Sequence, residues 1–227
     1  MEIIRTDHIE KIYNDDGVPV HALHDVTLSI QKGEFLAIAG PSGSGKTTLL
    51  NIIGALDTPT NGEVVLDGDR LNDKQKSVLA TLRLNKIGFV FQAYNLIPVL
   101  SALENIEFKM MLLNIPEQVR REQSLNIMEE LGIRELAHKR PHEMSGGQQQ
   151  RVAVARAIVN NPPIVLADEP TANLDSATAH SLIDIMERMN TEKKITFIFS
   201  SHDSQVLQHA RRVIILRDGR IEKDTTQ

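Results

Sequence analysis

Phe35-Leu36-Ala37-Ile38-Ala39-Gly40-Pro41-Ser42-Gly43-Ser44-Gly45-Lys46-Thr47 is the stretch that decides how the rest of the chain is read. Its first five residues form a short apolar run closed by glycine, the pattern of a strand covered on both faces in a parallel sheet. The last eight satisfy G-x-x-x-x-G-K-[ST], a phosphate-binding loop between a strand and a helix. At ordinary residue frequencies a chain of 227 residues carries about 0.01 such matches by accident. Gly40, Gly43 and Gly45 let backbone N–H groups close around phosphate oxygens, with Ser42 and Ser44 between them. A helix opening near Lys46, with Leu49, Leu50, Ile52 and Ile53, adds the partial positive charge of its first turn. Lys46 is expected to reach the β- and γ-phosphates of a nucleotide and the Thr47 hydroxyl to ligate Mg²⁺.

The same strand grammar recurs at Ile87–Phe91 and at residues 164–167, 195–199 and 213–216, with helical stretches separating the last three. Strands alternating with helices predict an α/β fold, a P-loop NTPase core around a mostly parallel sheet. The first thirty residues differ. Ile9, Ile12 and Tyr13, then Val26, Leu28 and Ile30 at period two, read as half-buried antiparallel strands, so an antiparallel β-subdomain is expected on the N-terminal side. Between Gln92 and Asn160 helices take over. Ser101-Ala102-Leu103-Glu104 is a capping box opening a helix with Leu103, Ile106, Met110 and Leu113 on one face; another helix is expected from Pro116 until Gly132 stops it. Residues 93–160 are therefore expected to form a helical subdomain inserted within a single domain, 1–227.

Composition narrows the chemistry. With 25 basic and 30 acidic residues the net charge is −5, which argues against a nucleic-acid footprint. The chain has no cysteine, which excludes disulfide frameworks, cysteine zinc sites and thiol catalysis, so any metal is held by oxygen or histidine. Its first seven residues alternate polar and apolar, so no signal peptide is expected, and no stretch approaches the ~18 consecutive apolar residues of a membrane span. A cytosolic chain is expected, unless a partner holds it at a membrane.

Two further places carry chemistry. Asp168-Glu169 follows the apolar residues 164–167, at the sheet edge where open α/β folds put their sites. There Asp168 suits hydrated Mg²⁺ and Glu169 a general base for water; by itself the pair also reads as an exposed acidic turn. Ser145-Gly146-Gly147-Gln148 precedes a helix with Val152, Ala155, Ile158 and Val159. A serine cap followed by two glycines leaves the first N–H groups open to an anion, and one chain already has a phosphate cradle. Either this is a capped helix only, or it receives a γ-phosphate presented by another copy.

Met144-Ser145-Gly146-Gly147-Gln148, placed between Lys46 and the Asp168-Glu169 pair, resembles the signature motif of the ABC transporter ATPases, and the similarity covers essentially the whole chain. Phe91-Gln92-Ala93-Tyr94-Asn95-Leu96-Ile97-Pro98, Ser101-Ala102-Leu103-Glu104-Asn105 and Gly147-Gln148-Gln149-Gln150-Arg151-Val152-Ala153 are most similar to the lipoprotein-releasing, macrolide-exporting and cell-division branch. The resemblance implies ATP and Mg²⁺. It makes Gln92 the Q-loop residue and a further metal ligand, Asp175 the end of the D-loop, His202 the switch histidine and Tyr13 the aromatic that stacks on adenine. Thr48 supports the α-phosphate side, and Gln92 and His202 complete the shell around a water activated by Glu169. Also implied is a head-to-tail homodimer in which Ser145, Gly146, Gly147 and Gln148 of one copy cover the γ-phosphate held by the other. So are integral-membrane permease subunits encoded separately, a peripheral place on the cytoplasmic face of the cell membrane, and no nucleic acid. Met144, Asn173 and Ser201 depart from the usual family residues, and none of them removes a phosphate or metal contact.

Without that resemblance several residues keep two readings. Gln92 faces phosphate or is a solvated strand end. His202 bonds a γ-phosphate or caps the following helix, and Tyr13 packs on a sheet or offers an adenine platform. The apolar residues 96–100 dock a permease helix or fill the subdomain core. An ABC-type ATPase head of DNA repair or translation is the alternative function, although no sustained heptads and only one phosphate loop are present.

Overall fold

Strand β3 (Phe35–Ala39) lies between two parallel neighbours, β8 (Thr196–Ser201) and β9 (Arg212–Arg217), and all five of its residues are buried. The computed structural model describes residues 1–15 and 17–226. Beyond β8 the sheet continues through β7 (Ile164–Asp168) to β6 (Ile87–Phe91), and on the far side β9 pairs with the antiparallel edge strand β10 (Arg220–Thr226), giving the order β10-β9-β3-β8-β7-β6. A second, antiparallel sheet has the order β2-β1-β4-β5, built from β1 (Glu2–Asp15), β2 (Val18–Gln31), β4 (Asn61–Leu66) and β5 (Asp69–Arg70). The α/β core with an N-terminal antiparallel sheet is thus the fold expected from the strand patterns.

The near-continuous apolar character of β3 follows from cover on both faces. Leu36 and Ile38 point into one apolar cluster with Leu49, Ile52 and Ile53 of α1 (Lys46–Ile53) and with Ile4, Ile30 and Val64 of the antiparallel sheet. Phe35 and Ala37 point into the other, which holds Ile106 and Met110 of α3 (Ala102–Leu112), Met128 of α4 (Glu117–Glu130), Val154 of α5 (Gly146–Ile158) and Met186 of α6 (Ser176–Lys193). Each fully buried Ile, Leu or Phe contributes about 1.5–3 kcal/mol. Two elements complete the fold: α2 (Lys76–Lys86), packed beside β6, and the short α7 (Ser204–Leu207) after β8. No helix among the described residues is long and apolar enough to cross a membrane.

Local chemistry sets the helix starts. Both halves of the capping box at Ser101 are formed, the serine with Glu104, and both halves recur at Ser145 with Gln148. Leu103, Ile106 and Met110 are buried as the spacing predicts, while Leu113, at the end of the helix, is half-buried. Strand β8 begins at Thr196, not Ile195, and runs on through Ser200 and Ser201, because their backbones pair with Ile38 and Ala39 of β3.

Candidate functional site

The parallel strands end on one edge of the sheet, and the chemistry-bearing residues collect there. The loop after β3 leads into α1 through Gly45, whose φ of 101° no side chain would tolerate and whose added Cβ would lie 2.6 Å from the Ala22 carbonyl oxygen. No side chain caps α1, so the N–H groups of its first turn face the cavity. That cavity, about 630 Å³, is lined by residues 41–48 together with Gln92, Glu169 and His202, and by Val20, His21 and Ala22 of β2.

Lys46 is almost fully buried, and its Nζ donates to the carbonyl oxygens of Gly40 at 2.8 Å and Pro41 at 3.0 Å. Glu169 Oε1 lies 3.8 Å from the same nitrogen. Ser44 Oγ is buried with no hydrogen-bond partner among the described residues, an orphaned group that a phosphate oxygen would satisfy. Thr47 donates its hydroxyl to Asp168 Oδ2 at 2.9 Å, across 121 residues of chain. Hydroxyl and carboxylate oxygens at this separation are the hard donors that Mg²⁺ selects.

Glu169 holds a left-handed backbone, φ 45°, fixed by a bond from its N–H to Ser200 Oγ at 2.8 Å. His202 Nδ1 lies 3.1 Å from each oxygen of the Glu169 carboxylate. Gln92 is exposed at the end of β6, and Asn173 donates to its carbonyl oxygen at 3.0 Å. Tyr13 stands outside the cavity lining. Its hydroxyl donates to Asp57 Oδ2 at 2.8 Å, and Lys11 Nζ sits 4.8 Å from its ring centroid. Burial lifts the Tyr13 hydroxyl above its ordinary range, with Thr48 pulling it down and Asp57 pushing it up.

Ser145, Gly146, Gly147 and Gln148 do not join this cavity. They line a separate one of about 410 Å³, with Asn173, Leu174 and Asp175. Asp175 caps α6, accepting the Thr178 N–H at 3.0 Å and its hydroxyl at 2.7 Å; that hydroxyl bond, followed by the backbone one, holds the carboxyl below its usual range. A side chain at Gly146 or Gly147 would force a neighbour to move: an added Cβ would meet the Tyr94 hydroxyl at 2.7 Å in the first case and Thr178 Cγ2 at 2.5 Å in the second. The starts of α1 and α5 in one chain therefore open into different cavities with no lining residue in common.

Two features were outside the sequence reading. Ser200 joins Asp168 to Glu169 from β8, a position marked by no motif. An apolar groove of about 580 Å³ runs between α2, β6, α3 and α5, lined by Leu84, Phe89, Phe91, Phe108 and Leu112 with Lys109 beside them. Residues 96–100 lie apart from most of it. Leu96 packs on the core and Val99 is 73% exposed, while the buried Asn105 holds the turn through the backbone of Ile97, Leu100 and Ser101.

Residues 23–172 match the family model described as ABC transporter. The chain is 44% identical over 226 residues to the ABC transporter ATP-binding protein MJ0796 of Methanocaldococcus jannaschii, covering 98% of this chain and 96% of the relative. It is 43% identical over 227 residues to the macrolide export ATP-binding/permease protein MacB of Syntrophobacter fumaroxidans, 99% of this chain but 32% of the relative. A dimeric structure of the MJ0796 cassette in a post-hydrolysis state, bound to ADP and Pi, superposes with a TM-score of 0.93 at 42% identity, covering 99% of this chain and 98% of the other.

Proposed function

Because the chain belongs to the ABC transporter family and is an ATPase, we propose that it closes head to tail with a second copy around two ATP molecules to drive a separate membrane permease. The observation that carries this reading is the separation of the two half-sites: the phosphate loop opens into one cavity and the Ser145 helix into another. A triphosphate in the first is left uncovered on its γ side by its own chain, and a second copy supplies the missing cover with Ser145 and Gly147, carried on the helical insert 93–160.

The residues then divide the work. Lys46 exchanges its carbonyl partners for the β- and γ-phosphates, and the free N–H groups of α1 hold the rest of the chain of phosphates, with Thr48 on the α side. Mg²⁺, when bound, neutralises charge on the phosphate oxygens, and Thr47, Asp168 and Gln92 would hold it. Glu169 takes a proton from the attacking water while His202, already against its carboxylate, orients both toward the γ-phosphate. Tyr13 supports adenine. Loss of the γ-phosphate removes the contact that Ser145 of the other copy makes, so the closed dimer is favoured only while ATP is intact.

The likeness to MacB, a protein that carries its own permease by name, supports a transporter of the macrolide-export, lipoprotein-release or mechanical-remodelling type. It also supports a peripheral place on the cytoplasmic face of the membrane. The groove lined by Phe89, Phe108 and Leu112 is the permease seat in this reading, in preference to residues 96–100. Glu169→Gln tests the core of the proposal. With saturating ATP and Mg²⁺ it is expected to bind nucleotide, lose turnover and elute as a dimer from a sizing column; a monomer under the same conditions contradicts closure around ATP. Stimulation of turnover by a membrane protein, and not by DNA or ribosomes, separates this function from a repair or translation head.

A further inference from the structure

Helix α6 sets His180, Asp184 and Glu187 on one face through spacings of four and three residues, and the turn after α7 brings His209 against it. His209 Nδ1 lies 3.7 Å from Asp184 Oδ1 and 3.7 Å from Glu187 Oε2. One ligand atom of each of the three residues lies within 4.8 Å of the others. On the far side of the ring, His209 Nε2 faces His180 Nδ1 at 3.4 Å, and His180 Nε2 faces the Gln205 amide oxygen at 3.4 Å.

The row orders the donors and acceptors of the two rings. A metal on His209 Nδ1 requires that atom unprotonated; His209 Nε2 then carries the ring proton and can donate it to His180 Nδ1, and His180 Nε2 can donate to the Gln205 amide oxygen. In that tautomer His209 Nδ1 and the two carboxylates present three acceptor atoms that a cation can join, whereas a proton on Nδ1 makes His209 an ion-pair partner of both acids. Arg211 reaches the other oxygen of Glu187, at 3.9 Å, and donates to Asn190 and Thr191.

We propose that His209, Asp184 and Glu187 bind one divalent transition-metal ion, of which zinc is the best match. Ligands about 2.0–2.1 Å from a tetrahedral zinc stand roughly 3.3–3.4 Å apart. The two separations of 3.7 Å are close to that, and rotation of the exposed Asp184 side chain closes the third. One imidazole with two carboxylates suits zinc above magnesium or calcium, and the bond from His209 Nε2 to His180 is the outer contact that orients a metal-bound imidazole. The ion clamps α7, which starts two residues after His202, onto α6, and it belongs to neither ATP half-site.

Calorimetric titration of ZnCl₂ into the full chain without nucleotide, paired with thermal melting, tests the site. One zinc per chain and a raised Tm are expected, both lost in His209→Ala and in the double variant Asp184→Asn, Glu187→Gln. His180→Ala is expected to keep the stoichiometry and weaken binding about 10–100-fold. No zinc bound by the unmodified chain overturns the proposal, and so does an unreduced stoichiometry in both variants. The latter result makes His209 a protonated partner of the two acids. If His209→Ala fails to fold, the double carboxamide variant, which keeps both histidines, decides alone.

Discussion

Ser200 Oγ donates to Asp168 Oδ1 at 2.7 Å, and the same oxygen accepts the Glu169 N–H at 2.8 Å. One fully buried hydroxyl on β8 thereby fixes both acids at the end of β7, while Thr47 engages the other oxygen of Asp168. Ser200→Ala leaves a half-buried carboxylate oxygen and a half-buried N–H without their partner, a loss of about 1 kcal/mol. Steady-state ATPase kinetics are expected to show kcat lowered about 10–100-fold with little change in KM. An unaltered kcat removes Ser200 from the account.

Gly147 meets Thr178 so closely that the contact can be tested by compensation. Gly147→Ala puts a methyl group 2.5 Å from Thr178 Cγ2 and is expected to lower both Tm and ATP turnover. Thr178→Ser removes that methyl while keeping the hydroxyl that Asp175 accepts, so the double variant is expected to recover most of the lost Tm. Additive losses in a double-mutant cycle contradict this packing.

Lys109 gives the fold a pH dependence of its own. Burial beside the apolar groove lowers its pKa from 10.5 to about 8. Below about 8 the side chain is charged in both states and the native state carries the full burial penalty. Between about 8 and 10.5 the unfolded chain binds more protons, so stability rises with pH by up to about 3 kcal/mol from this group. Lys109→Met is expected to exceed the parent in denaturant midpoint at pH 7, with the gap narrowing by pH 10. A constant gap refutes the assignment.

Much of this was legible in the chain because a few residues carry unambiguous local physics. The apolar run before Gly40 requires cover on both faces, and the serines at 101 and 145 sit three residues before Glu104 and Gln148, so both capping boxes could be read before folding. Strands β4, β5 and β10 and helix α2 were not legible. β10 is a charged edge strand, β5 spans two residues, and α2 buries only Leu79 and Leu82, too few positions to set a period. Ser200 was missed for a different reason: a serine inside an apolar strand has no motif, and only the parallel pairing of β7 with β8 brings it to Asp168. The groove near Phe108 needs four elements at once, and the row from Gln205 to His209 needs α7 folded onto α6.

The account rests on Ser145 acting on nucleotide held by a different copy. Sedimentation of Glu169→Gln and of Glu169→Gln, Ser145→Arg, each with Mg²⁺ and labelled ATP, tests this directly. The single variant is expected to sediment as a dimer carrying two ATP, and the double variant as a monomer that still binds one ATP with the affinity of the isolated chain. Dimers formed equally well by the double variant, or a monomer that no longer binds ATP, would contradict it.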